Sequence, residues 1–363
     1  MNIFSLLKRS LLLFFIGIFY LNTSYSQIEN IIIITTDGLR WQEVFNGMDS
    51  VLANNKKFNE DDSSLLYQRF WATTPEKRRE KLMPFMWGYM ANKGSIYGNR
   101  KYGNLVDVKN PYWFSYPGYN EIFTGYADTL VNSNNYPANP NTNLLEFLYK
   151  QNKFKGKVAA FAAWDAFDRI LNEKRSGFPV INAFDTVPGN LTPQQQLINK
   201  MLLASYKPWN QSECLDVFTH FAAMEYLKIN QPKILYIAYG ETDEWAHGGK
   251  YFSYLNATHQ FDKWIQEIWD YLQSTPAYKN KTAVFITTDH GRGDEIKEEW
   301  QHHWSTIAGS SQTWFAVIAP GIRPKQEVKI KAQYFANQFA QTMASLLKIT
   351  FAANHPVGTK ISL

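Results

Sequence analysis

Along this chain of 363 residues, four segments are almost continuously apolar instead of alternating between apolar and polar positions. They are Asn30–Thr36, 233–239, 282–288 and 313–319, each rich in β-branched and aromatic residues. Such runs predict strands buried on both faces, as in a parallel sheet. A fifth run, 158–163, reads the same way. Helical periodicity fills other stretches, over 215–229, 254–273 and 333–347. Strand alternating with helix predicts an open α/β sheet with helices on both faces.

Sheets of this kind hold ligands just beyond the carboxyl ends of their strands. Three of the four runs end there in acidic or imidazole groups: Asp37-Gly38, Asp243 and Asp289-His290-Gly291. The stretches 49–111 and 126–211 are less regular and rich in Asn, Tyr and Pro. They read as long connections and extra helices inserted beside that end of the sheet.

The first residues have a different character. Lys8 and Arg9 precede an apolar run from Leu11 to Tyr20, and small residues at Ser24 and Ser26 precede Gln27. This is the layout of a secretory signal peptide over 1–26, with the mature chain at 27–363. The run is short for a bilayer span, which takes ~20 residues. The expectation is therefore an exported protein, periplasmic or secreted, with no stable membrane anchor after cleavage. Apolar residues at 45% and charged residues at 19% give enough material for a large core and argue against disorder. The formal charge of +5, two units of it from Lys8 and Arg9, comes without a basic block, so no nucleic acid polymer is expected as partner. Cys214 is the only cysteine, which excludes an internal disulfide and a cysteine-rich zinc site.

The strand-end residues form a candidate metal constellation. Asp243 and His247 lie four apart, a spacing that aims both from one helical turn. Asp37, Asp289 and His290 join them, with a late histidine at His302 or His303. Carboxylates mixed with imidazoles suit zinc better than calcium or magnesium, with manganese as the alternative. Six such ligands exceed what one catalytic zinc takes, so two ions are expected. Taken singly, each Asp would more often cap a helix. His220, His259 and His355 lack a matching carboxylate setting and read as structural.

In order along the chain, Asp37-Gly38, Ser115-Tyr-Pro-Gly-Tyr-Asn-Glu-Ile-Phe-Thr-Gly125, Asp243-x-x-x-His247, Asp289-His290-Gly291 and the late histidine resemble the alkaline phosphatase superfamily. The likeness looks strongest to its branch of type I phosphodiesterases and nucleotide pyrophosphatases. It implies a three-layer α/β/α sandwich with a mostly parallel sheet and capping insertions. It implies one ion on Asp37, Asp289, His290 and the Ser115 hydroxyl, and another on Asp243, His247 and the late histidine. The pattern Trp300-Gln-His-His303 in similar sequences points to His303, although Trp304 stands where a glycine often follows.

The resemblance also implies Ser115 as nucleophile, acting through a phosphoserine intermediate in an in-line double displacement, on a small phosphate-ester substrate. No G-x-S-x-G elbow or nearby histidine supports a Ser-His-Asp hydrolase. Within the superfamily a sulfatase would need an arginine that Ser115-Tyr-Pro-Gly-Tyr119 lacks. The mutases of the same metal site act on cytosolic substrates. A monoesterase is favoured slightly over a phosphodiesterase or nucleotide pyrophosphatase, and a silent binding protein on the same scaffold is the reading of another class. Asn120, Arg40, Arg292 and Lys109 are the candidate phosphate contacts, and Trp41, Trp113 and Trp164 are candidates to stack on the alcohol group. The oligomeric state is not legible.

Overall fold

The computed structural model describes residues 28–363, so the signal peptide expected at 1–26 lies outside the described residues. Ten strands are present among them: β1 (Asn30–Thr36), β2 (Ser95–Tyr97), β3 (Asn104–Asp107), β4 (Val158–Ala162), β5 (Val180–Asn182), β6 (Ile234–Tyr239), β7 (Thr282–Thr287), β8 (Phe315–Ile318), β9 (Gln326–Glu327) and β10 (Ala332–Phe335). Eight form one sheet in the order β5-β4-β6-β1-β7-β8-β2-β9, while β10 and β3 form a small second sheet. The strands from β5 to β7 run parallel. β8 is antiparallel to β7 and to β2, so the sheet is mixed but mostly parallel.

β1 lies at the centre, and its alternate side chains enter two separate cores. Ile32 and Ile34 pack in one with Tyr254, Leu255 and Ile265 of the helix Tyr251–Ser274 and Leu227 of the helix Asp216–Asn230. Ile31 and Ile33 pack in the other with Ile122 of the helix Ser115–Thr124 and Phe339 and Met343 of the helix Phe339–Leu346. Both faces are covered, which gives three layers and explains why the strand reads as an unbroken apolar run. Each of these isoleucines is at most 1% exposed and contributes ~1.5–3 kcal/mol through burial.

Two expectations need correction. The helix expected over 333–347 begins only at Phe339, because Ala332–Phe335 pairs in register with Asn104–Asp107. The run 313–319 is a strand only over Phe315–Ile318 and points opposite to the other apolar strands. The stretches 49–111 and 126–211 carry helices and also supply β2 and β3, and β4 and β5, respectively. No helix among the described residues is long and apolar enough to cross a membrane.

Candidate metal centre

Because β6, β1 and β7 are neighbours, their carboxyl ends place residues more than 200 positions apart side by side. Asp37 follows β1 directly, and its amide donates to Tyr239 O at the end of β6. Asp243 and His247 lie on the helix Glu241–His247, which starts right after β6. Asp216 steadies that start from another helix: its carboxylate accepts from the Gly240 and Glu241 amides at 2.7 and 3.1 Å. The Thr242 hydroxyl donates to Asp37 O at 2.5 Å, locking this helix to the β1 loop. His303 arrives on a loop anchored by Trp300, which is fully buried against Phe58, Tyr251 and Tyr254.

The six side chains form one continuous cluster. His290 Nε2 lies 3.2 Å from Asp37 Oδ1, 3.5 Å from Asp289 Oδ2 and 3.7 Å from Asp243 Oδ1. His303 Nε2 is 3.6 Å from Asp243 Oδ1 and 3.0 Å from His247 Nε2, which in turn is 3.1 Å from Asp243 Oδ2. Asp37, Asp289 and His290 stand close enough for one ion, as do Asp243, His290 and His303. Of the two late histidines, His303 turns into the cluster with its side chain 6% exposed, whereas His302 is exposed.

Ser115 is the first residue of the helix Ser115–Thr124, and Phe114 is its N-cap, with no side-chain cap bond. Its hydroxyl therefore does not cap the helix. Instead Oγ sits 3.3 Å from His290 Nε2 and 3.5 Å from Asp37 Oδ1. Gly118 makes this approach feasible, since a Cβ there would come within 2.4 Å of Asp289 O. The loop before Ser115 is set by Glu121, a buried carboxylate that accepts from the Lys109, Asn110 and Asn337 amides and from Asn110 Nδ2. Asn110 Oδ1 in turn accepts from the amides of Tyr112 and Trp113, and Trp113 takes a positive φ of 58°.

Burial, and then Asp243, raises the Asp37 carboxyl; burial, and then Asp37, lifts Asp289 far above the usual carboxylate range. Burial opposes a charged His290, yet Asp289 and Asp37 hold it up at about 9. Burial would also raise Asp243, but Arg292 foremost, then His247 and His303, hold it well below the ordinary value. Burial, then His290, depresses His303. Two carboxyls are thus crowded together with too little positive charge between them.

The donor set fits cations. The Gly291 carbonyl engages His290 Nδ1 at 2.8 Å, which leaves Nε2 facing the carboxylates. Tyr119 OH donates to Asp37 Oδ2 at 3.0 Å and the Gly38 amide to Asp289 Oδ1 at 3.1 Å, so one oxygen of each carboxylate is held and the other faces inward. Asp289 Oδ2 is buried without a hydrogen-bond partner, so it has lone pairs to offer a cation. Buried Asp and His groups at these spacings are able to hold metal.

The substrate contacts expected from sequence need correction. Asn120 is 1% exposed, and its side chain is spent on Tyr126 O, Asn139 and Asn141. Arg40 is fully buried, ion-paired to Glu43 and bonded to Gly293 O. Arg292 is fully buried too, and holds Asp243 and Gln301 O. None of the three is free to take phosphate. The amides at the head of the Ser115 helix offer little more: Tyr116 N is bonded to Asn134 Oδ1, and Pro117 has no N–H. The Lys109 amide serves Glu121.

The structure gives further residues a place at the site. Trp304 stacks on Phe114 with ring centroids 4.5 Å apart, joining the segments of His303 and Ser115. Glu213 and Glu244 flank the cluster as further acids; burial, then Glu244, raises Glu213, and burial, then Asp243, pushes Glu244 to about 7. Tyr119, Glu121 and Glu244 had a visible signal in their place within the segments that carry the resemblance, and Trp304 in its departure from a glycine there. Cys214 is buried beside Thr219, with burial pushing its thiol to about 12, so it is inert.

No protein-family model matches the chain, and no curated protein matches its sequence. Solved structures do match its fold. The alkaline phosphatase PafA aligns with a TM-score of 0.55 at 12% identity, covering 92% of this chain and 98% of that one. The phosphonate monoester hydrolase of Agrobacterium radiobacter gives 0.54 at 12%, covering 92% and 76%. A 2-O GAG sulfatase gives 0.53 at 16%, covering 90% and 72%. The chain thus shares the fold of these structures, the α/β/α sandwich that the resemblance implied. These likenesses give no support to the narrower resemblance to nucleotide pyrophosphatases.

Proposed function

We propose that this chain is an exported two-metal hydrolase of phosphoric esters with Ser115 as nucleophile. The observation that carries the reading is the approach of Ser115 Oγ to His290 and Asp37 at 3.3 and 3.5 Å, beside a carboxylate with a buried free oxygen. Asp37, Asp289, His290 and Ser115 would hold one ion, and Asp243, His247 and His303 another, with zinc favoured over manganese. Bound there, the ions would favour the serine alkoxide and neutralise charge on the phosphoryl oxygens. The chain's own part is positional. Tyr119 and the Gly38 amide orient the carboxylates, and the Ser115 helix presents Oγ for in-line attack on phosphorus. The alcohol departs, and water then cleaves the phosphoserine.

A monoesterase is the first reading. The engagement of Arg40 and Arg292 favours a second, a phosphodiesterase, because neither arginine is left to pair with the added charge of a monoester dianion. Rates on p-nitrophenyl phosphate, bis-p-nitrophenyl phosphate and p-nitrophenyl sulfate, with zinc-loaded protein and Ser115→Ala as control, decide. The monoester fastest supports the first reading, and the diester fastest the second. Turnover of the sulfate alone overturns both. No turnover above the control leaves a silent binding scaffold.

A further inference from the structure

Arg292 follows His290 by two residues, yet its guanidinium serves the other ligand set. Nη1 donates to Gln301 O at 2.6 Å, two residues before His303. Nη2 donates to the Asp243 backbone carbonyl at 3.1 Å and to the Asp243 carboxylate. The side chain is fully buried, and Gly38 lies flat against it: a Cβ there would meet Asp243 Oδ1 at 2.6 Å and Arg292 Nε at 3.0 Å. The loop it holds is also pinned by the Gly293 amide on His302 O at 3.1 Å.

We infer that Arg292 is a positioning residue that clamps Asp243 to the His303 loop and so assembles the second ion's site from the loop that carries the first. The inference rests on the two-metal reading above. The planar fork is what the task requires, because a carbonyl on one segment and a carboxylate and carbonyl on another must be bonded together. A lysine ammonium keeps the charge but is a compact point charge on a flexible stem, so it does not span both segments. Loss of an outer partner of a ligand typically weakens metal binding 10–100-fold.

Cobalt titration of metal-free wild type and Arg292→Lys, followed by visible absorption and by ion counting, tests this. The wild type takes two ions per chain. Arg292→Lys keeps one at wild-type affinity, binds the other at least ~10-fold more weakly, and loses that ion's absorption bands. A residue that merely fills volume and balances charge would be rescued by lysine, so two ions at wild-type affinity in Arg292→Lys overturn the clamp. Fewer than two ions in the wild type overturn the two-metal reading, and the inference falls with it. Should Arg292→Lys not fold, hydrogen exchange on the metal-free wild type decides. Protected amides over 299–304 support a loop held before metal arrives, and free exchange there overturns it.

Discussion

Tyr119 reaches Asp37 from the helix that begins at Ser115, so one hydroxyl couples the orientation of the Asp37 carboxylate to the placement of Ser115. Tyr119→Phe is expected to weaken the first ion by ~10–100-fold, read by chelator competition, while leaving the second unchanged. Wild-type affinity for the first ion in that variant would remove Tyr119 from the account. Asn120 makes the opposite case, since every bond of its amide is internal. Asn120→Ala should cost ~1–3 kcal/mol of stability by denaturant unfolding and leave KM unchanged. A raised KM at normal stability would return Asn120 to the substrate. At this scale the cluster of Asp and His side chains was legible, because carboxylate and imidazole spacing at strand ends is a local pattern. Which polar groups are consumed by buried partners was not. Asn120 is held by Asn139 and Asn141 across a fold that the segment around it does not encode; only Arg40, three before Glu43, carried a local hint.

Among elements, the short helix Glu241–His247 depends on help from outside its own sequence. Gly240, its N-cap residue, has no side chain to offer, and Asp216 supplies the acceptors from another helix. Asp216→Ala is expected to cost ~1–2 kcal/mol, the usual worth of a cap, and to weaken the Asp243 and His247 site together. Loss of stability with undisturbed ion binding would limit Asp216 to the fold. The apolar runs predicted four strands to within two residues at either end, because a run buried on both faces needs no partner to be recognised. Direction is a different matter. Nothing in 313–319 says that β8 runs against its neighbour, and Ala332–Phe335 looks helical until Asn104–Asp107 is there to pair with it.

For the molecule as a whole, convergence of distant motifs follows from strand order: β6, β1 and β7 are adjacent, so three strand ends become one site. Packing elsewhere sets the response to pH. His220 is fully buried, stacked on Trp264, with Tyr239 OH at 2.8 Å and Glu267 at 3.2 Å. Burial, reinforced by Lys228, depresses it to about 3. The folded chain then binds fewer protons than the unfolded one, so this contribution is complete above pH ~6.5 and is lost as pH falls toward 3. About 2 kcal/mol of it should be gone by pH 5. His220→Gln is expected to flatten that part of the profile in melts between pH 7 and 5, and an unchanged slope would contradict it.

The central claim is that a two-metal cluster activates Ser115 for attack on phosphorus. Acid-quenching the zinc-loaded protein during phosphate-ester turnover, then mapping phosphopeptides by mass spectrometry, tests it most directly. The account predicts phosphate on Ser115 that is absent after chelation and absent in Ser115→Ala. Sustained turnover by Ser115→Ala, or phosphate carried on another residue, would contradict it.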